Sequence, residues 1–189
     1  MNSIDFFYSL RPHPLPDFGK HFSSCKKSAF RLELLSIYTV PEEEKAIALY
    51  LAGDPEPPAD FNKEWIDILE RANRDSVKFS RVRVIDGPLT DYIRFEFDWG
   101  YRKNIKFGED IRFLMRDKIG PFQTPVPVLK DFWLFDDQDC FLMEYDYYGR
   151  FLGVTKVPSE HVGSYITLVN EAKQASISFK DAEARFQDR

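Results

Sequence analysis

Residues 131–157 read DFWLFDDQDCFLMEYDYYGRFLGVTKV. The run 132–135 is entirely apolar, which is typical of a strand that is covered on both faces. Residues 136–139 are polar and acidic, and residues 146–149 end in a glycine that can adopt positive φ, so both segments are predicted turns. We therefore predict three antiparallel strands that follow one another as a meander in the C-terminal half of the chain.

Upstream of the meander, strands and helices alternate along the chain. A two-residue period of apolar side chains predicts the strands, and apolar residues three or four positions apart predict the helices. This order predicts an α/β or α+β fold, with a mixed β-sheet flanked by helices and a C-terminal three-strand meander. The predicted strands are 29–39, 77–85 and 111–115, and the predicted helices are 17–25, 41–53, 61–75, 89–103 and 159–175.

The length of 189 residues predicts one globular domain over residues 1–175. The proline-rich stretch 54–60 is the best candidate for an internal boundary, which gives an N-terminal helical or extended subregion over 1–60 as the alternative. Residues 176–189 are predicted to be a charged, loose tail.

Composition excludes several classes of protein. The net charge of −5 disfavours a generally basic nucleic-acid binder. No apolar run reaches the length of a membrane span, and the first residues do not resemble a signal peptide. Cys25 and Cys140 are far apart and show no metal-binding spacing, so we interpret them as reduced thiols of a cytoplasmic protein.

Charge is distributed unevenly. Residues 41–70 contain nine acidic residues and two lysines, residues 71–85 contain five basic residues and one aspartate, and residues 131–146 contain six acidic and no basic residues. One interpretation is that these charges pair within the fold or lie on solvated faces. The other is a bipolar surface that binds a partner through complementary charge.

The motifs of common enzymes are missing from the sequence. It contains no GxGxxG, GxxxxGK or GxSxG pattern, and its three histidines lack zinc-ligand spacing. Asp136, Asp137 and Asp139 could offer oxygen ligands to Mg²⁺ or Ca²⁺, but the EF-hand pattern fails. Turn aspartates more often bind their own backbone, so we predict no metal and no cofactor.

Several segments resemble an uncharacterised bacterial protein family that is abundant in actinobacteria. The similarity spans roughly residues 22–157. Relatives are often encoded near helix-turn-helix regulators, so the resemblance implies a regulatory or toxin–antitoxin-like setting. The matching stretches are Phe30-Arg31-Leu32-Glu33 followed by Tyr38, residues 51–54, Arg81-Val82-Arg83-Val84, residues 88–96, residues 108–112, residues 131–137, residues 145–146 and residues 149–153.

The order of elements over residues 77–157 also resembles phospholipase D-like domains. Those domains need an HxKxxxxD motif for phosphodiesterase chemistry. No lysine stands two positions after His13, His21 or His161. The resemblance therefore implies a shared fold without the catalytic residues.

Three hypotheses follow for the function. The first is a cytoplasmic regulatory or interaction protein without catalysis, with a protein partner rather than nucleic acid or a membrane. The second is a nucleic-acid-binding or metal-dependent phosphodiester-processing enzyme that uses the acidic turn and the basic segment 71–83. The third is a sensor of a small ligand in a pocket lined by aromatic residues. Charged residues within or beside apolar elements are the candidate binding residues: Arg94, Glu96, Glu109, Asp110, Arg112, Asp136 and Asp137.

Overall fold

The computed structural model of the protein describes residues 12–119 and 126–186. Within these ranges, eight strands form one mixed sheet. The strands are β1 (Pro12–His13), β2 (Ser28–Glu33), β3 (Lys78–Ile85), β4 (Asp110–Met115), β5 (Phe132–Phe135), β6 (Asp139–Tyr145), β7 (Phe151–Lys156) and β8 (Ile177–Ser178). Their order in the sheet is β1-β7-β6-β5-β2-β3-β4-β8. The parallel strands β2, β3 and β4 lie side by side, and the other pairs are antiparallel.

Helices cover both faces of the sheet, which confirms the predicted mixed sheet flanked by helices. Residues 41–43 and 116–118 form 3-10 turns. Residues 96–101 form a π-helical segment that joins the short helices 91–95 and 102–106. None of the helices in the described ranges is long and apolar enough to cross a membrane. The α-helices are α1 (Leu15–Ser24), α2 (Glu44–Ala52), α3 (Lys63–Arg74), α4 (Asp91–Phe95), α5 (Arg102–Lys106), α6 (Ser159–Ala175) and α7 (Phe179–Phe186).

The first face of the sheet packs against α6. Leu32, Val82 and Leu134 come from neighbouring strands and form one apolar cluster with Tyr165 and Leu168 of the helix. These residues alternate with side chains that point to the opposite face, as the pleat of a strand requires. The first face is thus an ordinary apolar core.

The second face is covered by several shorter elements. Near the amino ends of β2 and β3, Phe79 and Trp133 pack with Ile66 and Leu69 of α3. Nearer the carboxyl ends, the helical segment 91–106 lies over the sheet through its aromatic residues. Because both faces are covered, every residue of β3 except Lys78 is buried.

The predicted meander is present as β5, β6 and β7, in the predicted antiparallel arrangement. The structure differs at the predicted strand 29–39, which ends at Glu33. There the Leu34 N–H donates to the side chain of Asp131 instead of to a neighbouring strand. A side-chain acceptor thus replaces the sheet ladder and ends the strand.

Residues 176–186 differ from the loose charged tail that the sequence predicts. They contain β8, which pairs with β4, and the helix α7. Ala182 and Phe186 are buried against Phe97 and Phe113. The apolar side of α7 supplies the contacts that hold this segment to the sheet edge, although its other side is charged.

Candidate functional site

Charged side chains of β2 and β3 occupy the middle of the second face. In the register of β2 and β3, Arg31 lies beside Arg81 and Glu33 lies beside Arg83. Successive side chains of a strand point to opposite faces, so these four residues share one face.

Glu33 is the centre of an ion-pair network. Its Oε1 atom lies 3.1 Å from Nε of Arg31 and 3.1 Å from Nη1 of Arg81. Its Oε2 atom accepts a hydrogen bond of 2.9 Å from the hydroxyl of Tyr101. Burial disfavours the charge on Glu33, but the neighbouring arginines outweigh burial and hold the pKa of this carboxyl below its usual range. Glu33 is therefore an anion at neutral pH.

Glu109 is the second partner of Arg81. Nε of Arg81 donates a hydrogen bond of 2.6 Å to Oε1 of Glu109. Nε1 of Trp65, on α3, donates a bond of 3.0 Å to the other oxygen. Arg81 and Glu109 are both buried, so each depends on the other for compensation of its charge.

Tyrosines connect this network to the rest of the second face. The hydroxyl of Tyr38 donates to the buried carboxyl group of Asp131. Nη2 of Arg31 donates a bond of 3.2 Å to the hydroxyl of Tyr145. We call the whole assembly the charged cluster; its members are Arg31, Glu33, Tyr38, Arg81, Arg83, Tyr92, Glu96, Tyr101, Glu109, Asp131 and Tyr145.

The π-helical segment places Glu96 in the charged cluster. Glu96 is only 6% exposed. A Cβ atom on Gly100 would lie 2.8 Å from Oε2 of Glu96, so the space for this carboxyl group exists because residue 100 is glycine. Single π-helical turns inside helices are frequent at functional sites, because they shift side chains out of the regular helical register.

Glu43 and Glu96 form a pair of carboxyl groups with altered acidity. Burial and the nearby Glu43 raise the pKa of Glu96 to about 8. Burial also raises the pKa of Glu43, whose Oε2 atom accepts a hydrogen bond of 3.0 Å from Tyr92. Two neighbouring carboxyl groups in a buried place resist double ionisation. At neutral pH Glu96 therefore holds its proton.

Arg83 has the most unusual surroundings in the charged cluster. It is completely buried. None of its guanidinium nitrogens has a hydrogen-bond partner within the described residues. Its Cζ atom lies 4.8 Å from the centre of the Tyr38 ring and 5.9 Å from that of Tyr92.

A cleft of about 700 Å³ opens beside the charged cluster. Two of its lining residues also contact the cluster: Glu43 through Tyr92, and Trp65 through Glu109. Two hydrogen bonds thus link the lining of the cleft to the charged cluster. Its lining residues are Val40, Glu42, Glu43, Lys45, Ala46, Pro58, Asp60, Phe61, Asn62, Lys63, Glu64, Trp65 and Ile68.

A second surface feature lies at the turn between β6 and β7. Tyr147 is 96% exposed and Leu152 is 66% exposed. The segment 37–39 lies against this turn, where Thr39 donates to the backbone oxygen of Tyr148. Clustered exposed apolar residues are typical of interaction surfaces. The hairpin-tip patch consists of Ile37, Tyr147, Tyr148, Phe151 and Leu152.

The candidate residues from the sequence do not form one site. Glu96 and Glu109 belong to the charged cluster. Arg94 lines a separate small pocket beside α7, and Arg112 donates to Ser176. Asp110 and Asp137 are exposed at the ends of strands β4 and β5.

Asp136 has a structural role in its turn. Its carboxylate accepts hydrogen bonds from the backbone N–H groups of Lys26, Lys27 and Ser28. Across residues 12–119 and 126–186, no three His, Cys, Asp or Glu side chains are placed to hold a metal ion. Asp136 thus binds backbone N–H groups, as an alternative to metal binding, but they belong to the segment 26–28 rather than to its own turn.

Sequence reasoning missed the core of the charged cluster. Arg31 and Glu33 alternate with apolar residues, which is the pattern of a strand with one solvated face. Arg81 and Arg83 are counted in the basic segment 71–85, yet both are buried, so they offer no exposed phosphate contacts. The available signal is that charged residues alternate in two strands that are neighbours in the sheet.

Comparison with known proteins identifies a family without revealing an activity. The model of a family described as a domain of unknown function (DUF6879) matches residues 16–182. No curated protein matches the chain.

Among solved structures, the chain is similar to TrmBL2, an archaeal chromatin protein whose structure is described as showing a novel mode of DNA binding. The two chains are 11% identical with a TM-score of 0.47. The similarity covers 86% of this chain and 49% of that chain, so this chain spans about half the length of TrmBL2.

Proposed function

We propose that this chain, which belongs to the DUF6879 family of domains of unknown function, is a regulatory protein that binds a small polar molecule in the cleft. The observation that carries the proposal is the double role of Glu43 and Trp65. Both residues line the cleft, and both hydrogen-bond into the charged cluster. A molecule in the cleft would therefore contact two residues that hydrogen-bond to the charged cluster.

The cleft has the size and chemistry of a ligand site. Small-molecule sites commonly have volumes of about 300–1,000 Å³ and combine apolar surface with a few convergent polar groups. Here Phe61, Trp65 and Ile68 supply the apolar surface, and Glu43 and Asn62 supply polar groups. Groups with altered pKa values cluster at functional sites, and Glu43 and Glu96 are such groups.

Binding without catalysis is part of the proposal. The lining combines apolar surface with carboxylates and lysines, which can hold a polar ligand through charge and hydrogen bonds. A cytoplasmic location is part of the proposal, and it is supported by Cys25 and Cys140, which are both buried and free.

The test is a thermal-unfolding screen with amino acids, carboxylates, phosphorylated metabolites, nucleosides and sugars. The variant Lys45→Trp fills the cleft from an exposed position outside the charged cluster. The matched control Lys180→Trp makes the same change on the exposed side of α7. We expect at least one compound to raise the Tm of the wild type and of Lys180→Trp but not that of Lys45→Trp. Equal stabilisation of all three proteins by every active compound would contradict the proposal.

A protein partner is the second candidate function, and the hairpin-tip patch favours it. Tyrosine is enriched at the centre of protein interfaces, and Arg150 lies 5.5 Å from the ring centre of Tyr148 in this patch. We propose that an apolar protein surface binds here. The test compares partners captured by the wild type, by Tyr147→Ser with Leu152→Ser, and by Leu15→Ser, which changes an exposed leucine on α1. A partner lost only from the hairpin-tip variant supports the proposal, and identical captured sets contradict it.

A further inference from the structure

We propose that the guanidinium group of Arg83 binds a carboxylate or phosphate group of the molecule that occupies the cleft. This inference rests on the proposed function and adds the chemical class of the ligand. A planar guanidinium group presents five N–H donors in a fixed geometry, which fits two oxygens of an oxyanion at once.

The surroundings of Arg83 leave its donors unused. The side chain has no exposed surface, and its Nε, Nη1 and Nη2 atoms have no acceptor in the described part of the chain. The Tyr38 and Tyr92 rings hold the group through their faces. The face of an aromatic ring attracts a cation. It does not replace an oxygen atom as the acceptor of the cation's hydrogen bonds. A buried ion of this kind needs an acceptor to offset its loss of water.

The acceptors near Arg83 already serve other donors. Glu33 has Arg31 and Arg81 on one oxygen and Tyr101 on the other. The distance from Nη1 of Arg83 to Oε2 of Glu33 is 3.6 Å, which is too long for a hydrogen bond. One carboxylate thus faces three arginines, and Arg83 is the arginine left without a hydrogen bond.

A chain of contacts links the cleft to Arg83. Glu43 lines the cleft and accepts a hydrogen bond from Tyr92, and the Tyr92 ring lies over the guanidinium group. Arg83 itself does not line the cleft, so the proposal requires Glu43 and Tyr92 to separate when the ligand binds. An oxyanion that enters there would meet the unused donors and would compete with Glu43 for the hydroxyl of Tyr92.

Protonated Glu96 makes this location compatible with an anion. Glu96 faces Glu43 from the 3-10 turn, Glu33 from β2, and Arg81 and Arg83 from β3. Tyr92 and Tyr101 are the titratable groups of its own helical segment that lie near it. Because the pKa of Glu96 is raised to about 8 by burial and by Glu43, the carboxyl group is neutral at pH 7. We expect the affinity for an oxyanion to fall as the pH rises through about 8.

The experiment uses the whole chain, labelled with ¹⁵N-arginine, and two small anions, acetate and inorganic phosphate, at constant ionic strength. The Nε–H signal of Arg83 is identified by its loss in Arg83→Met. The signal of Arg74, an exposed residue at the end of α3, reports the non-specific effect of salt. We expect a saturable shift of the Arg83 signal with at least one anion, and no saturable shift of the Arg74 signal. The more effective anion distinguishes a carboxylate from a phosphate ligand.

Several outcomes would overturn the inference. If neither anion gives a saturable shift, Arg83 does not bind oxyanions. If binding is unchanged between pH 6 and pH 9, or if Glu96→Gln keeps the same pH dependence as the wild type, the account of Glu96 is wrong. Arg83→Lys keeps the charge without the two-pronged geometry. Because this variant lacks the Arg83 signal, its anion binding is compared with that of the wild type through the increase in Tm that the anion produces. We expect the variant to need at least a tenfold higher anion concentration for the same increase.

The inference and the proposed function fail in different ways. If a cleft compound stabilises the wild type and Arg83→Met equally, but not Lys45→Trp, the cleft binds a ligand and Arg83 does not anchor it. If acetate or phosphate shifts the Arg83 signal equally in the wild type and in Lys45→Trp, the anion site exists but is not reached through the cleft. The first result contradicts the inference and leaves the proposed function intact. The second contradicts the inference that the anion belongs to a ligand of the cleft, whereas the proposed function fails only if no compound passes the thermal screen.

Discussion

Nη1 of Arg83 lies 3.6 Å from Oε2 of Glu33, beyond the distance of an N–H···O hydrogen bond. The other oxygen of the same carboxylate lies 3.1 Å from Arg81. Arg81 and Arg83 are two positions apart in the same strand, yet their hydrogen-bond partners differ. Arg81 is paired on both sides, and Arg83 is buried with its donors unused, so the two residues should respond differently to the same substitution.

Replacement of each arginine by methionine tests this difference. Removing one partner of a buried ion pair costs about 3–5 kcal/mol because the other charge is left uncompensated. When Arg83 is replaced, Glu33 keeps its contacts with Arg31, Arg81 and Tyr101, so no charge is left without a partner. We expect Arg83→Met to unfold at the same urea concentration as the wild type or higher. Arg81→Met leaves Glu33 and Glu109 underpaired and should be destabilised by about 3–5 kcal/mol. Equal destabilisation of both variants would show that Arg83 is a structural ion like Arg81.

The pKa of Glu96 predicts how stability depends on pH. Because the folded-state pKa of about 8 lies above the ordinary value of 4.5, the folded state binds this proton more tightly than the unfolded state does. The contribution of Glu96 is fully present below about pH 4.5 and is lost as the pH rises through about 8. We expect Glu96→Gln to reduce the decline of the unfolding free energy over this range. An identical decline in the wild type and in the variant, measured by urea unfolding at several pH values, would contradict the prediction.

We expect that the carboxyl group of Glu96 fits only when residue 100 is glycine. In Gly100→Ala the new methyl group would lie 2.8 Å from Oε2 of Glu96, a side chain that is buried among other groups. Such overpacking typically costs about 1–3 kcal/mol. The matched control is Gly163→Ala in α6, where nothing lies within 4 Å of the added atom and helix propensity predicts a gain of about 0.5–1 kcal/mol. Thermal or urea unfolding separates the two.

A double variant identifies the cause of the Gly100 effect. Glu96→Ala removes the clashing oxygen atoms, so Gly100→Ala should cost little when Glu96→Ala is already present. Additive effects of the two substitutions would mean that the close approach to Glu96 is not what makes glycine necessary.

Asp136 should act on stability through the backbone of residues 26–28. Three N–H groups donate to its carboxylate, and its pKa lies below the usual range because these donors outweigh its burial. A depressed pKa stabilises the fold above the ordinary value of 3.8, and this stabilisation is lost as the pH falls further. We expect Asp136→Asn to lower the unfolding free energy by about 1–3 kcal/mol at neutral pH. Mg²⁺, Ca²⁺ and EDTA should leave the Tm of the wild type unchanged; a metal-dependent Tm that Asp136→Asn abolishes would restore the metal hypothesis.

Local patterns in the sequence predicted most of the elements. The helix 159–175 and the strand 132–135 have the predicted ends, since proline precedes the helix and polar residues flank the strand. The pattern of the segment 89–103 is ambiguous, because Phe95 and Phe97 also fit the period of a strand. The structure places both in the continuous helical segment 91–106.

The charged cluster depends on information that no single segment contains. Arg31 and Glu33 alternate with apolar residues, and this pattern is the same whether their face meets water or a second layer of helices. α3 and the helical segment 91–106 cover that face, and their positions follow from the packing of the whole chain. Glu96 and Glu109 were identified because they are charged residues in apolar surroundings, a signal that Arg83 shares.

The most direct test of ligand binding in the cleft is the indole N–H signal of Trp65. This residue lines the cleft while its Nε1–H group donates to Glu109, so its signal reports on the cleft and on the charged cluster together. With ¹⁵N-labelled protein and the assignment taken from Trp65→Phe, we predict that a compound from the thermal screen shifts the signal saturably in the wild type and not in Lys45→Trp. If every stabilising compound leaves the Trp65 signal in place, the ligand binds elsewhere and the central claim is wrong.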